Sequence, residues 1–150
     1  MRRLRSAKRR GAAAVETAIV LLVFVVLVLG MLELSIAVLR YNIVSQAARQ
    51  AARQAIVRGE LAPPKLSEWG PASFSRNANA ADPTVEAIQP YLTGLDLNNT
   101  TIAIDWIDGS TKIQKRVRVT IVTSHQPFLT FIFGSSAWTL NGVSTMQITH

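Results

Sequence analysis

The sequence predicts an α+β protein in which one long N-terminal helix, first transmembrane and then amphipathic, packs on a small antiparallel sheet. The first observation behind this prediction is a charge-free apolar run over residues 17–32. The second is an apolar stripe at helical spacing that continues this run to Val57 without a proline or glycine. The third is the alternation of apolar and polar residues in two segments after position 100, which is typical of paired strands.

The apolar run is long enough to predict a membrane span. Residues 17–32 contain one glycine and no proline, and as a helix they would cover about 24 Å. The small residues 12–15 extend the run to the roughly 20 residues that a hydrocarbon core requires, and they place Glu16 inside the helix. Glu33 falls near the far interface. We therefore predict a transmembrane helix over residues 12–37.

The distribution of charge predicts the orientation of this span. The chain carries a net charge of +7, but six of its sixteen basic residues lie within the first ten positions. A nucleic-acid-binding domain would carry its basic patch on the folded part, so we expect no nucleic-acid partner. Basic residues ahead of an apolar helix stay on the cytoplasmic side. Residues 1–11 are thus predicted to be a basic cytoplasmic leader, with the chain beyond about residue 35 outside.

The helix is predicted to continue as an amphipathic segment over residues 38–58. Polar residues such as Arg49 and Arg53 occupy the face opposite the apolar stripe, and Gly59 ends the helix. The stripe consists of Ile36, Leu39, Ile43, Val44, Ala47, Ala48, Ala51, Ala52 and Ala55.

A cleavable signal sequence is the alternative interpretation of the N-terminal region. Ser35-Ile36-Ala37 is a small-x-small match to a signal peptidase site, and cleavage there would start the mature chain at Val38. The length of the apolar run, the acid Glu33 just before the site and the unbroken helix after it argue against cleavage.

The order of these features resembles a known family. Basic residues end at Gly11, and Glu16 is the fifth residue after that glycine, as in type IV pilins. The match is closer to the TadE-like proteins of the tight-adherence (Flp) pilus system, since Gly30-Met31-Leu32-Glu33 and Asn42 followed by Ala47-Ala48-Arg49 occupy the places of that family's motifs. The resemblance is strong over residues 9–58. The residue after the glutamate, usually aromatic in Flp-type substrates, is Thr17 here.

The resemblance implies a pilin-like fold and a role in assembly. The chain would be a minor pseudopilin or assembly component, non-enzymatic and single-pass in the inner membrane, with other pilus subunits or assembly proteins as partners. A prepilin peptidase would cut between Gly11 and Ala12, and the new amine would pair with Glu16. Gly30 would allow close helix packing. Glu33 would either lie at the interface or meet a partner helix.

The remainder of the chain is predicted to be an irregular link over residues 59–81 and a small α+β outer domain over 82–150. Asp82 and Pro83 predict a helix start, and Pro90 limits that helix to two or three turns. Its apolar face would consist of Val85, Ile88 and Leu92.

Strand signals follow the short helix. Apolar residues alternate in 102–106 and again in 117–121, on either side of the turn signal Asp108-Gly109, which predicts an antiparallel hairpin. A final strand is expected near residue 145. The apolar run 127–134 is too short for a span and is expected either under the sheet or facing partners. Its aromatic residues are expected in the core, together with Trp138: Phe128, Phe131 and Phe133.

The sequence offers no catalytic or metal-binding pattern. It has no cysteine, and its two histidines, His125 and His150, lie far apart. It has neither a phosphate-binding glycine loop nor a G-x-S-x-G nucleophile motif. We therefore expect no enzyme activity, no metal and no cofactor. The rival function is a signal-anchored or secreted adhesin-like domain unrelated to pili, and an exported enzyme has no residues to support it.

Overall fold

A computed structural model describes residues 3–66 and 68–149. One long helix, α1, packs on a four-stranded antiparallel sheet, which confirms the predicted α+β class. The strands follow one another in the order β1-β2-β3-β4, so the sheet is a simple meander. The elements are α1 (Arg3–Ile56), β1 (Phe74–Asn77), α2 (Pro83–Ile88), 3-10 turns (Gln89–Leu92 and Leu97–Asn99), β2 (Thr100–Trp106), β3 (Arg116–His125), α3 (Thr130–Phe133) and β4 (Trp138–Gln147).

Helix α1 is continuous through the predicted junction between its transmembrane and amphipathic parts. It has 54 residues, which corresponds to a rod of roughly 80 Å. The helix begins at Arg3, so its backbone extends into the predicted leader. It ends at Ile56, close to the predicted end, and a turn follows that includes Gly59.

The C-terminal half of α1, called the upper half from here on, forms one wall of the core. Val44 and five alanines between positions 47 and 55 are fully buried, as the apolar stripe predicted. Ile36 and Leu39 are exposed, contrary to that prediction, because the buried face of α1 continues from Val44 to Ala37 and does not include them. The fully buried alanines are Ala47, Ala48, Ala51, Ala52 and Ala55.

A glycine in β4 allows the sheet to approach this wall. A Cβ atom added to Gly142 would lie 2.7 Å from the carbonyl oxygen of Val44, closer than real side chains approach a backbone. Small residues on both surfaces thus bring helix and sheet into backbone contact, and this contact fixes the position of α1 on the outer domain.

The predicted hairpin is confirmed. Strands β2 and β3 pair with Ile104 opposite Val119 and Ile102 opposite Ile121, and all four side chains are fully buried. The alternation of the sequence therefore gives the correct face of each strand. Their apolar sides lie over the alanines of α1.

The short helix α2 begins as predicted. The Asp82 side chain accepts a hydrogen bond from the backbone N–H of Thr84 at 2.8 Å, and Pro83 is the first helical residue. Its apolar face closes the far side of the core with Val85, Ile88 and Leu92, all buried. The regular helix ends at Ile88 and passes into a 3-10 turn that contains Pro90.

Two features of the outer domain differ from the expectation. Strand β1 lies inside the predicted irregular link and forms a sheet edge against β2. The prediction that the aromatic cluster is core is wrong. The segment after β3 leaves the sheet and folds beside α1, so Phe128 and Phe131 remain 76% and 73% exposed. Phe133 and Trp138 instead pack edge to face, with ring centroids 5.3 Å apart.

Candidate functional site

The N-terminal half of α1, called the lower half from here on, exposes its apolar side chains. From Val15 to Leu34 the large aliphatic residues are between about 40% and 67% accessible, except Val26, which is half-buried. The hydroxyl of Thr17 donates to the carbonyl of Ala13 at 2.9 Å, and that of Ser35 donates to Met31 at 2.7 Å. Because these hydroxyls are satisfied within the helix, they suit a medium without water. The helix from Gly11 onward is long and apolar enough to cross a membrane.

The residues predicted to take part in processing lie at the N-terminal end of this segment. Gly11, Ala12 and Glu16 are exposed, and no atom outside its helix backbone lies within 4 Å of the Cβ position of Gly11. Ala12 and Glu16 are four residues apart, so they share one face of the helix. An amine at Ala12 would thus lie one turn from the Glu16 carboxyl. Cleavage and pairing both remain predictions.

Gly30 lies opposite the segment between β3 and β4 that contains Phe128, Phe131 and Phe133, which we call the aromatic segment. The ring of Phe133 comes within 4.0 Å of the Cβ position of Gly30. An added Cβ would make an ordinary van der Waals contact with this ring, so the approach of the outer domain does not require glycine at this position. Close packing of another helix at Gly30 remains a prediction.

Glu33 is a buried acid at the level where α1 meets the segment that begins at Phe128. It is only 3% exposed and accepts two hydrogen bonds from the outer domain. One comes from Nε2 of His125 at 3.0 Å, and the other comes from the backbone N–H of Phe128 at 3.0 Å. The structure thus gives Glu33 a partner in its own chain, which the sequence analysis did not foresee.

Arg40 completes this polar network from the next turns of α1. One of its terminal nitrogens, Nη1, lies 2.8 Å from Nδ1 of His125. A guanidinium only donates, so Nδ1 must accept, and the ring proton resides on Nε2, which donates to Glu33. The ring of His125 is fully buried, and Trp138 packs edge-on against it at 5.8 Å. Every polar atom of the imidazole therefore has a partner.

The network joins three elements at one level of the rod. His125 attaches the end of β3 to α1, and Phe128 attaches the start of the segment 127–133 to α1. The residues of α1 that they contact, Glu33 and Arg40, are two turns apart. Glu33, Ala37, Arg40 and Val44 are spaced three or four residues apart, so they extend the buried face of α1 downward. That spacing is the sequence signal that could have placed Glu33 against the outer domain. Nothing in the sequence identifies His125, 92 residues later, as its partner.

The described residues offer no candidate metal site. Across residues 3–66 and 68–149, no group of three or more potential ligands is close enough to hold a metal ion. His150 lies outside the described residues. The polar cluster at Glu33 has its hydrogen-bonding groups engaged within the protein, which is the arrangement of a structural network.

Comparison with known proteins gives one match. A family model described as "TadE-like protein" matches residues 11–53, a segment that contains Glu16, Gly30, Glu33 and four of the five fully buried alanines of α1. No curated protein and no solved structure matches the chain. The matched segment is the one that the sequence motifs identified. Over residues 11–53, therefore, the chain is similar to the TadE-like family.

Proposed function

We propose that this protein is a minor pseudopilin or assembly component of a tight-adherence pilus, anchored in the inner membrane with its outer domain outside. It acts through helix packing and protein–protein contacts rather than through catalysis. The observation that carries the proposal is the single helix α1, whose exposed apolar half continues without a break into the wall of a folded domain. This is the shape of a subunit held in a membrane by the same rod on which its domain is built.

The anchored form is favoured over a secreted one by the Glu33 network. Cleavage after Ala37 would remove Glu33 from the mature chain. The Nε2–H of His125 and the N–H of Phe128 would then lose the acceptor that both share. A hydrogen bond contributes about 0.5–1.5 kcal/mol net to the free energy of unfolding, and both bonds would be lost. A secreted adhesin-like domain would thus lose part of its own fold.

Processing by a prepilin peptidase is the second part of the proposal. The basic leader stays in the cytoplasm, and the cut separates Gly11 from Ala12. The new amine and Glu16 lie on one exposed face of α1, where each offsets part of the cost of the other's charge in a low-dielectric medium. In an assembled complex the same groups are also free to pair between subunits.

The amino terminus of the membrane-bound protein tests this proposal. Mass spectrometry of the protein from cells with and without the prepilin peptidase should show a chain that starts at Ala12 only when the peptidase is present. A matched variant, Gly11→Val, should remain uncut in both strains. A start at Val38 would favour secretion and overturn the anchored role, whereas Met1 in both strains would overturn processing.

The assembly role needs its own measurement. Cells that lack the gene should lose surface pili, and the wild-type gene should restore them. The variant Glu16→Gln keeps the shape of the side chain and removes its charge, so it should reduce piliation while leaving membrane insertion intact. Normal piliation in the deletion strain would rule out the assembly function.

A further inference from the structure

The segment between β3 and β4 exposes apolar side chains at the level of the lower helix. We call residues 127–133 the apolar loop. Phe128 and Phe131 are about three-quarters exposed, and Ile132 is also exposed, at 39%. Isolated exposed apolar residues are ordinary, but three on one short segment form a patch that normally contacts another apolar phase.

The apolar loop lies beside the part of α1 that is predicted to cross the membrane. Phe131 lines a groove of about 460 Å³ whose other wall belongs to the helix. The helix residues in that wall lie on the N-terminal side of Glu33. Along the helix axis, Leu29 is about 6 Å and Leu21 about 18 Å from Glu33. The helix residues in the wall are Ala18, Leu21, Leu22, Val25, Val26 and Leu29.

Several backbone N–H groups of the apolar loop and its end are hydrogen-bonded within the protein. The N–H of Phe128 donates to Glu33, and the N–H groups of Ile132, Phe133 and Gly134 donate to carbonyls within the loop's single helical turn. Irregular backbone enters hydrocarbon only where its polar groups are satisfied by the protein. The Glu33 network thus supplies a bond that the start of the loop needs.

The surrounding sequence carries no charge that would resist insertion. From position 119 to 150 the chain contains no Asp, Glu, Lys or Arg. On the helix opposite, residues 17–32 are also free of charge. At the other end of the sheet, by contrast, the hairpin turn carries Asp108, Lys112, Lys115 and Arg116. The apolar loop itself therefore carries no charge, while Arg40 and Asp96 line a groove with Phe128 at its start.

We propose that the apolar loop inserts into the outer leaflet of the same membrane that α1 crosses, with Phe128, Phe131 and Ile132 among lipid acyl chains. This inference rests on the proposed membrane anchoring. The occupant of the groove is lipid, because the groove is continuous with the exposed apolar surface of α1 and lies at the same level along the helix. The outer domain then has two attachments to the membrane, and its rotation about the axis of α1 is restricted.

The absence of cysteine makes a direct test possible. A single cysteine placed at Phe131→Cys is labelled with a nitroxide, and the full chain is reconstituted into phosphatidylethanolamine–phosphatidylglycerol vesicles at less than one protein per vesicle. Collision with oxygen, which concentrates in lipid, is compared with collision with a nickel chelate, which remains in water. Two reference labels are needed. Val20→Cys reports on the exposed helix, and Ile113→Cys reports on an exposed apolar position at the far end of the sheet.

The expected result is that the label at 131 prefers oxygen over nickel, as the label at 20 does, whereas the label at 113 shows the reverse. Phe131 is largely exposed, so its replacement leaves the core intact, and circular dichroism checks this. If the label at 20 is in lipid but the label at 131 is in water, the loop proposal is wrong and the anchoring stands. If the label at 20 is in water, the anchoring itself fails. Low accessibility of position 131 to both reagents would indicate a protein contact and would also overturn lipid insertion.

Discussion

The two halves of α1 present apolar residues in opposite ways. In the lower half, most leucine, valine and isoleucine side chains are exposed. In the upper half, the apolar face is made almost entirely of alanine, and it is fully buried against the sheet. Within one uninterrupted helix, the larger apolar residues are thus the exposed ones and the smallest are the core.

This difference teaches that side-chain size, rather than hydrophobicity, distinguishes the two surroundings. Lipid chains are fluid and accommodate side chains of any size, so large residues add apolar area at no packing cost. A sheet is a fixed surface, and alanines permit its backbone to come close, as Gly142 does from the other side. The boundary between the two surroundings is occupied by Glu33, His125 and Arg40.

The largest effect is expected for an alanine-to-leucine substitution in the upper half of α1, and the same substitution in the lower half is its control. Ala51→Leu adds three carbon atoms to a fully buried position beneath the sheet and should lower the free energy of unfolding by about 3 kcal/mol. Ala14→Leu makes the identical change at an exposed position and should leave the unfolding of the outer domain unchanged. Denaturant unfolding in micelles, followed by the fluorescence of the buried Trp69 and Trp106, measures both.

Equal effects of the two substitutions would contradict the division of α1. A large effect of Ala14→Leu would mean that the lower helix packs on the outer domain. A small effect of Ala51→Leu would mean that the helix–sheet contact is looser than the position of Gly142 requires.

A smaller effect is expected for the contact between Glu33 and His125, and a double-mutant cycle measures the coupling between the two side chains. His125→Leu removes a donor from Glu33 and the acceptor of Arg40, and it should cost about 2 kcal/mol of unfolding free energy. Glu33→Leu should cost a similar amount, because His125 and Phe128 lose their common acceptor. The double variant should cost clearly less than the sum of the two, since neither partner is then left alone in the interior. Additive effects in the same unfolding assay would show that the two side chains do not interact.

The sequence predicted those parts of the fold that local patterns determine. The continuous helix follows from the unbroken spacing of its apolar residues, the hairpin from alternation around Asp108-Gly109, and the start of α2 from Asp82. The family motifs likewise lie within the helix. Each of these features depends on residues that are close together in the chain.

The remaining parts depend on contacts between distant segments. The Glu33–His125 bond joins positions 92 residues apart, and no local pattern encodes it. The aromatic segment was assigned to the core because apolar residues in a water-soluble domain are usually buried. That assumption fails beside a helix that is apolar enough to cross a membrane, where an apolar segment can face outward. The short strand β1 has no alternation to reveal it and is held by its partner β2.

The smallest effect is expected for a polar contact at the water-exposed end, which completes the contrast with the buried network. Arg116 donates to Asp108 at 2.8 Å, and these hydrogen bonds lower the pKa of Asp108 from 3.8 to about 2. Because the folded state holds the carboxyl ionised more strongly than the unfolded state does, the pair stabilises the fold above about pH 4. That contribution should disappear as the pH falls through about 2.

The difference in unfolding free energy between the wild-type protein and Asp108→Asn isolates this pair from the other carboxyl groups. It should be small at neutral pH, should shrink further when salt is added and should vanish near pH 2, since an exposed pair is screened by water and ions. The coupling of Glu33 to His125 should respond far less to salt, because both side chains are buried. If salt weakened both contacts equally, the boundary of α1 would be open to water, and the contrast between a sealed junction and an exposed hairpin turn would fail.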